Sequence, residues 1–210
     1  MNGNFTIRHA ESVALYHQVT FLNVSIDYGA DHKIYYQSVV RNKVKHVTIM
    51  ARGNRCISVL NVLIKGYYYL RLFRKIRKEH GYPDIIHANV IYPSGMIAWF
   101  LGFIFRIPFL VSEHWTIFNP ESQKKIHRFH LALIRFIASR SVYILPVSNH
   151  LRDNMKRLGL KSNYVVIPNV VDTRLFRYSA SDQTCFPKKI LHVSTLDPSV
   201  KNIPGILSVV

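Results

Sequence analysis

Four short polar clusters carry the chemistry that this sequence can offer: His87-Ala88-Asn89, Ser112-Glu113-His114, Ser148-Asn149 and Pro168-Asn169. Each closes an apolar run of strand type, within "DIIHAN", "PFLVSEH", "VYILPVS" and "YVVIPN". In an open parallel sheet, ligands bind beyond the carboxyl ends of the strands. Imidazole, carboxylate, hydroxyl and amide groups gathered there can hydrogen-bond a polar ligand. One such cluster alone reads as a helix cap, and Ser148 reads as a cap as well. Four on successive strands favour a polar binding crevice.

Other chemistries find no support. There is no Gly-x-Gly-x-x-Gly, no Walker loop, no His-Glu-x-x-His, no Cys-x-x-Cys and no nucleophile elbow. Neither a metal site nor a dinucleotide cofactor is therefore expected. His9 and His46 read as surface or satisfied structural histidines. Cys56 and Cys185 lie far apart in no motif, which fits free thiols in a reducing compartment.

The elements that must position these clusters follow from periodicity. A helical pattern begins at "MNGN", with Ile7, Ala10, Val13 and Ala14 at helical spacing. Strands are expected at 18–25, in a pair turning near Arg41-Asn42, and at 84–89, 108–114, 142–148 and 164–169. Helices are expected at 56–79, 94–105, 124–139 and 149–158. Short apolar strands alternating with helices imply an α/β, Rossmann-like, mostly parallel sheet with helices on both faces. Residues 1–176 then form one domain. The polar stretch 177–187 is a linker, and 188–210 begins a second α/β domain with a strand at "KKILHVSTL" and a helix at "NIPGILSVV".

Charge narrows the partners. The 210 residues carry 28 Lys and Arg against 11 Asp and Glu, a formal net charge of +17. An acidic partner follows: nucleic acid, anionic lipid or a phosphorylated ligand. The densest basic run, Lys65 to His80, reads first as the solvated face of a packed helix and second as a helix lying on an anionic membrane. No nucleic-acid module is present, so no specific nucleic acid is expected. The apolar stretch Gly95 to Val111 is broken by Arg106 and Pro108 well short of the ~20 residues that span a bilayer. No secretory signal is visible, so a cytoplasmic protein, peripheral at the inner face of the membrane, is expected.

"VVIPNVVDTRLF", Val165 to Phe176, resembles the end of the N-terminal domain in family-four glycosyltransferases. "DIIHAN", "IPFLVSEH", "RSVYILPVSNHLRDNM" and "ILHVSTLDPSVKN" are similar to further family segments in the same order. The resemblance covers nearly the whole chain. It implies the GT-B architecture, with two Rossmann-like domains facing across a cleft. It also implies transfer of a sugar from a nucleotide-diphosphate donor to a glycan or lipid-linked acceptor, with retention and without a required metal or other cofactor.

By position, Gly3 matches the glycine that meets the donor phosphates at a helix N-terminus. Lys201 matches a lysine that neutralises the leaving diphosphate. His114 matches the histidine near the transferred sugar, and Glu113 is its neighbour, so these two are the catalytic candidates. His87, Asn89, Ser148 and Asn169 are the acceptor or sugar-binding candidates. Thr195 stands where the family carries an arginine. In the family a buried strand precedes the Gly3 loop and an acidic motif lies beyond the second-domain start, so the chain reads as a fragment. A GT-B epimerase and a non-catalytic basic module that binds membrane or nucleic acid are the alternatives.

Overall fold

The computed structural model describes residues 4–28, 34–53, 58–120, 126–170, 173, 191–193 and 202–209. The chain divides into a compact unit, Met1–Val170, and a second, Val171–Val210. In the second unit the described helix is α6 (Ile203–Leu207), with a proline in its first turn where its missing N–H costs nothing. The strand expected at 188–196 and the linker 177–187 fall almost wholly outside the described residues.

The first unit is α/β with mostly parallel pairing. It begins with α1 (Asn4–Val13), followed by β1 (Val19–Asp27), β2 (Tyr35–Arg41) and β3 (Val44–Arg52). β1 runs parallel to β3, and β2 runs antiparallel to β3, in the order β1-β3-β2. The β2–β3 hairpin turns at Asn42 and Lys43, both with positive φ. That is the turn hand that matches strand twist, and Asn accepts it at low cost.

The second sheet contains β4 (Ile86–Asn89), β5 (Phe109–Glu113) and β6 (Ile144–Pro146), all parallel and in that order. Three longer helices complete the sheet connections: α2 (Ser58–His80), α3 (Ser94–Phe105) and α4 (Arg128–Arg140). A further helix, α5 (Asn149–Arg157), follows β6.

Two features differ from the pattern reading. The described strands form two three-stranded sheets rather than one ladder. The segment 164–169 is not a full strand. Tyr164 bridges Ile144, and the N–H groups of Val165 and Ile167 donate to Ile144 and Pro146 carbonyls. The Ile144 N–H donates back to the Asn163 carbonyl, but Pro146 has no N–H to return, so the two-way exchange stops there.

Helix α2 explains how separate sheets share one body. Leu72 joins the core of the first sheet with Val24, Val47, Ile49 and Ala51. Its neighbour Phe73 packs the other way, with Leu101 of α3 and Ile107. Adjacent helix positions point about 100° apart, so one helix serves two cores. Tyr69 of α2 also accepts the Val24 N–H at 3.3 Å, a donor on the side of β1 away from β3. The main core holds Val111 and Ile144 of the second sheet, Ile137 of α4, Phe118 and Met155.

α3 approaches its own return strand closely. A Cβ at Gly102 would sit 2.6 Å from the Ile107 carbonyl oxygen. Gly102→Ala gains about 1 kcal/mol of helix propensity but forces a backbone shift of a kind that costs typically 1–3 kcal/mol. The clash wins, so denaturant unfolding is expected to show a net loss of stability. A gain would show that α3 moves freely against the 106–108 turn.

Candidate active site at the carboxyl edge of the second sheet

The site is built on β4 and β5. Parallel register sets Asn89 opposite Ser112 and His87 opposite Leu110. Residues two apart on a strand share a face, so His87 and Asn89 project together, while Ala88 enters the core. The His87 Nε2 lies 2.8 Å from the Ser112 hydroxyl, a contact that ties the ends of the two strands.

Glu113 alternates to the opposite face and is fully buried. Its Oε2 accepts the Ile91 N–H at 2.8 Å, and its Oε1 accepts the N–H groups of His114 and Trp115 at 3.0 and 2.9 Å. One carboxylate thus joins the loop leaving β4 to the loop leaving β5. Burial pushes the Glu113 pKa up to about 7, and the three backbone donors pull the other way.

His114 emerges directly from this anchor and is half-buried. Burial, and then repulsion from His9, hold its pKa below the ordinary imidazole value. The same two causes, in the same order, lower His87, although the outer rim of that residue stays open to solvent. His9 of α1 therefore stands close to both. Its Nε2 is buried and finds no hydrogen-bond partner among the described residues. The reading of His9 and His46 as surface or satisfied histidines is corrected here. The buried Nε2 of His46 also lacks a partner, and its ring packs against Phe21 at 5.5 Å. His9 carries no sequence signal, because its influence on His87 and His114 arises only in the folded chain.

The remaining candidates divide. Ser148 is exposed and caps α5, its hydroxyl accepting the Leu151 N–H at 3.2 Å. Asn169 is half-buried, and its Oδ1 has no partner among the described residues. Gly3 and Lys201 lie outside the described residues. Pattern reading missed Asn154, a fully buried amide near His150 and Asn119 that holds α5 to the loop after β5.

Among the described residues no group of three His, Cys, Asp or Glu is placed to hold a metal. Two open hollows, of about 350 and 400 Å³, are lined by Ile34, Arg52, Leu63 and Tyr67 among others and by Arg71, Arg74, Lys75 and Lys78 with Glu79, and neither includes His87, Ser112 or His114. The polar chemistry of the histidine edge is what marks it.

A family model described as Glycosyltransferase Family 4 matches residues 11–175. The chain belongs to glycosyltransferase family 4. It is also similar to TuaC of Bacillus subtilis (strain 168), which is named for a glycosyltransferase of teichuronic acid biosynthesis. The two are 29% identical over 116 residues, covering 54% of this chain and 28% of TuaC. The chain thus matches less than a third of that relative's length.

In this family-four chain His87, Ser112, His114 and the Glu113 anchor all lie inside the matched region, and His9 falls just before it. Glu113→Gln keeps an oxygen for two of the donors but turns an NH2 toward the third, at a cost of about 1–3 kcal/mol. Because the folded pKa is raised, wild-type stability from this group is full below about 4.5 and is lost as pH rises through about 7. Stability of the wild type relative to Glu113→Gln is therefore expected to fall across that window, with the histidine contributions cancelling in the comparison. A flat difference in denaturant midpoints would overturn the assignment.

His9→Gln removes the like-charge neighbour. NMR titration is expected to show the His87 and His114 pKa values rising. Unmoved values would separate His9 from the site.

Proposed function

We propose that this chain forms the acceptor side of an enzyme that transfers a sugar with retention. The donor is a nucleotide-diphosphate sugar and the acceptor is a glycan or lipid-linked saccharide, in polysaccharide or glycolipid biosynthesis. The observation that carries the reading is the gathering of His87, Ser112 and His114 at the carboxyl edge of β4 and β5, inside the family match. The name of TuaC supports the polysaccharide setting.

The geometry suits sugar hydroxyls. Imidazoles with lowered pKa are neutral at pH 7, so each offers one donor and one acceptor nitrogen. A hydroxyl does the same, so neutral histidine and serine match a polyol without burying net charge. His114 is the group assigned to the transferred sugar. Glu113 orients it through the backbone rather than touching substrate, since both its oxygens are occupied. That leaves no free carboxylate at this edge among the described residues, which weighs against the epimerase alternative. Gly3 and Lys201, outside the described residues, are kept as the donor-phosphate candidates that the family resemblance implies.

His114→Ala is expected to lower sugar transfer by about 10²-fold, the usual loss for one hydrogen-bonding group at a reacting centre. The circular dichroism spectrum should stay unchanged, because the half-buried ring is not part of the main core. Turnover equal to wild type would remove His114 from the site. The absence of transfer with every nucleotide sugar tried would sink the reading itself.

A further inference from the structure

Helix α3 is apolar on every side. Its sequence, SGMIAWFLGFIF, contains no charged residue. A helix of that kind is normally enclosed by protein or lipid. One side is enclosed here, through Ala98, Leu101 and Gly102. The other is not. Phe103 is 76% exposed, and Phe100 and Ile104 are about two-fifths exposed at 40% and 41%.

The neighbouring helix α4 extends the same surface. Trp99 stacks on Phe103 at 6.2 Å and meets Phe136 of α4 edge-on at 5.1 Å. Phe129, one heptad before Phe136, is 74% exposed. Cations border these rings. The Arg140 guanidinium lies over Phe136 at 5.4 Å, Arg106 is exposed at the C-cap of α3, and Arg128 is exposed beside Phe129. Neither helix contains an Asp or Glu.

The geometry points to this aromatic and arginine ridge of α3 and α4 as the surface that docks on an anionic lipid bilayer. A second copy of the chain is a poor occupant, since it would bring arginine against arginine on a molecule of net charge +17. Anionic headgroups complement the arginines, and the rings reach the headgroup and acyl boundary where Trp and Phe settle. At 1.5 Å per residue α3 is about 18 Å long, well short of the ~30 Å hydrocarbon core, so it lies on the bilayer and does not cross it.

Helix α2, the more basic of the two surfaces, separates these features. Leu63 and Tyr67 are exposed in its first half. Arg71, Arg74, Lys75 and Lys78 follow in its second half, beside Glu79. The ridge lies on the helices that flank β4, β5 and β6, so docking leaves the carboxyl edge of those strands open. This docking surface stands independently of the sugar-transfer reading, because binding and transfer are measured separately.

Co-sedimentation with phosphatidylglycerol-rich and pure phosphatidylcholine vesicles tests it. The wild type is expected to bind the former, and added salt should weaken binding. Phe100→Ser with Phe103→Ser should lower vesicle affinity about 10-fold or more, and Arg106→Glu with Arg140→Glu should remove the anionic preference. Arg74→Glu with Lys78→Glu on α2 should leave binding in place. In the unaltered protein, brominated lipid should quench tryptophan fluorescence, and Trp99→Phe should abolish that quenching; this readout does not depend on the serine variants folding. Three results would overturn the proposal: no vesicle binding, binding lost only with the α2 variant, or a wild-type dimer that the serine variant dissolves without any lipid effect.

Discussion

A carboxylate shut away from the protein surface holds the business edge of this domain together. Glu113 is fully buried, and its two oxygens take backbone donors from Ile91, His114 and Trp115. Such a group is costly to bury alone and becomes tolerable only when its lone pairs are filled by well-aimed donors. Satisfying it therefore dictates where two loops lie. The Ile91 loop cannot drift from the end of β5, and His114 must leave the strand in one direction. The imidazole inherits its position from the residue before it.

The same edge shows how burial adjusts chemistry. His9, His87 and His114 come from α1, β4 and the end of β5. Burial, and then repulsion from His9, disfavour the imidazolium at His87 and His114. A trio of full cations would attract phosphate strongly and sugar hydroxyls little. Neutral imidazoles at His87 and His114 have the opposite preference, which suits an acceptor wall. Across the domain much of the positive charge sits elsewhere, on α2 and α4, where water or lipid can screen it.

Helix α2 carries the second structural burden. Leu72 and Phe73 send successive side chains into different cores, and Tyr69 satisfies a β1 donor that no strand pairs. Two three-stranded sheets can thus belong to one compact unit without a shared ladder. The close passage of Gly102 past Ile107 performs a similar service for α3, allowing helix and return strand to sit at backbone contact.

Much of this was legible in the residues. Apolar runs ending in polar clusters located β4, β5 and β6 and the edge where the candidate site stands, because a strand buried on both faces has few other ways to be written. Ser94 to Phe105 was readable as a helix to the residue, since Pro93 and Arg106 bracket an unbroken apolar stretch. Ser148 was readable as a cap from its place before a helical pattern. The expected strand at 164–169 was overdrawn, because pattern reports apolarity and not whether the neighbour, here Pro146, has a donor to return. Tertiary structure alone decided the rest. It turned Glu113 inward to bind three backbone donors, while the sequence shows only a carboxylate beside a histidine. It brought His9 of α1 to histidines some eighty and a hundred residues away. It also left Phe100 and Phe103 uncovered on a helix whose composition asks for cover. Sequence specifies which groups a segment can present; long-range packing decides which of them meet, and which face the solvent.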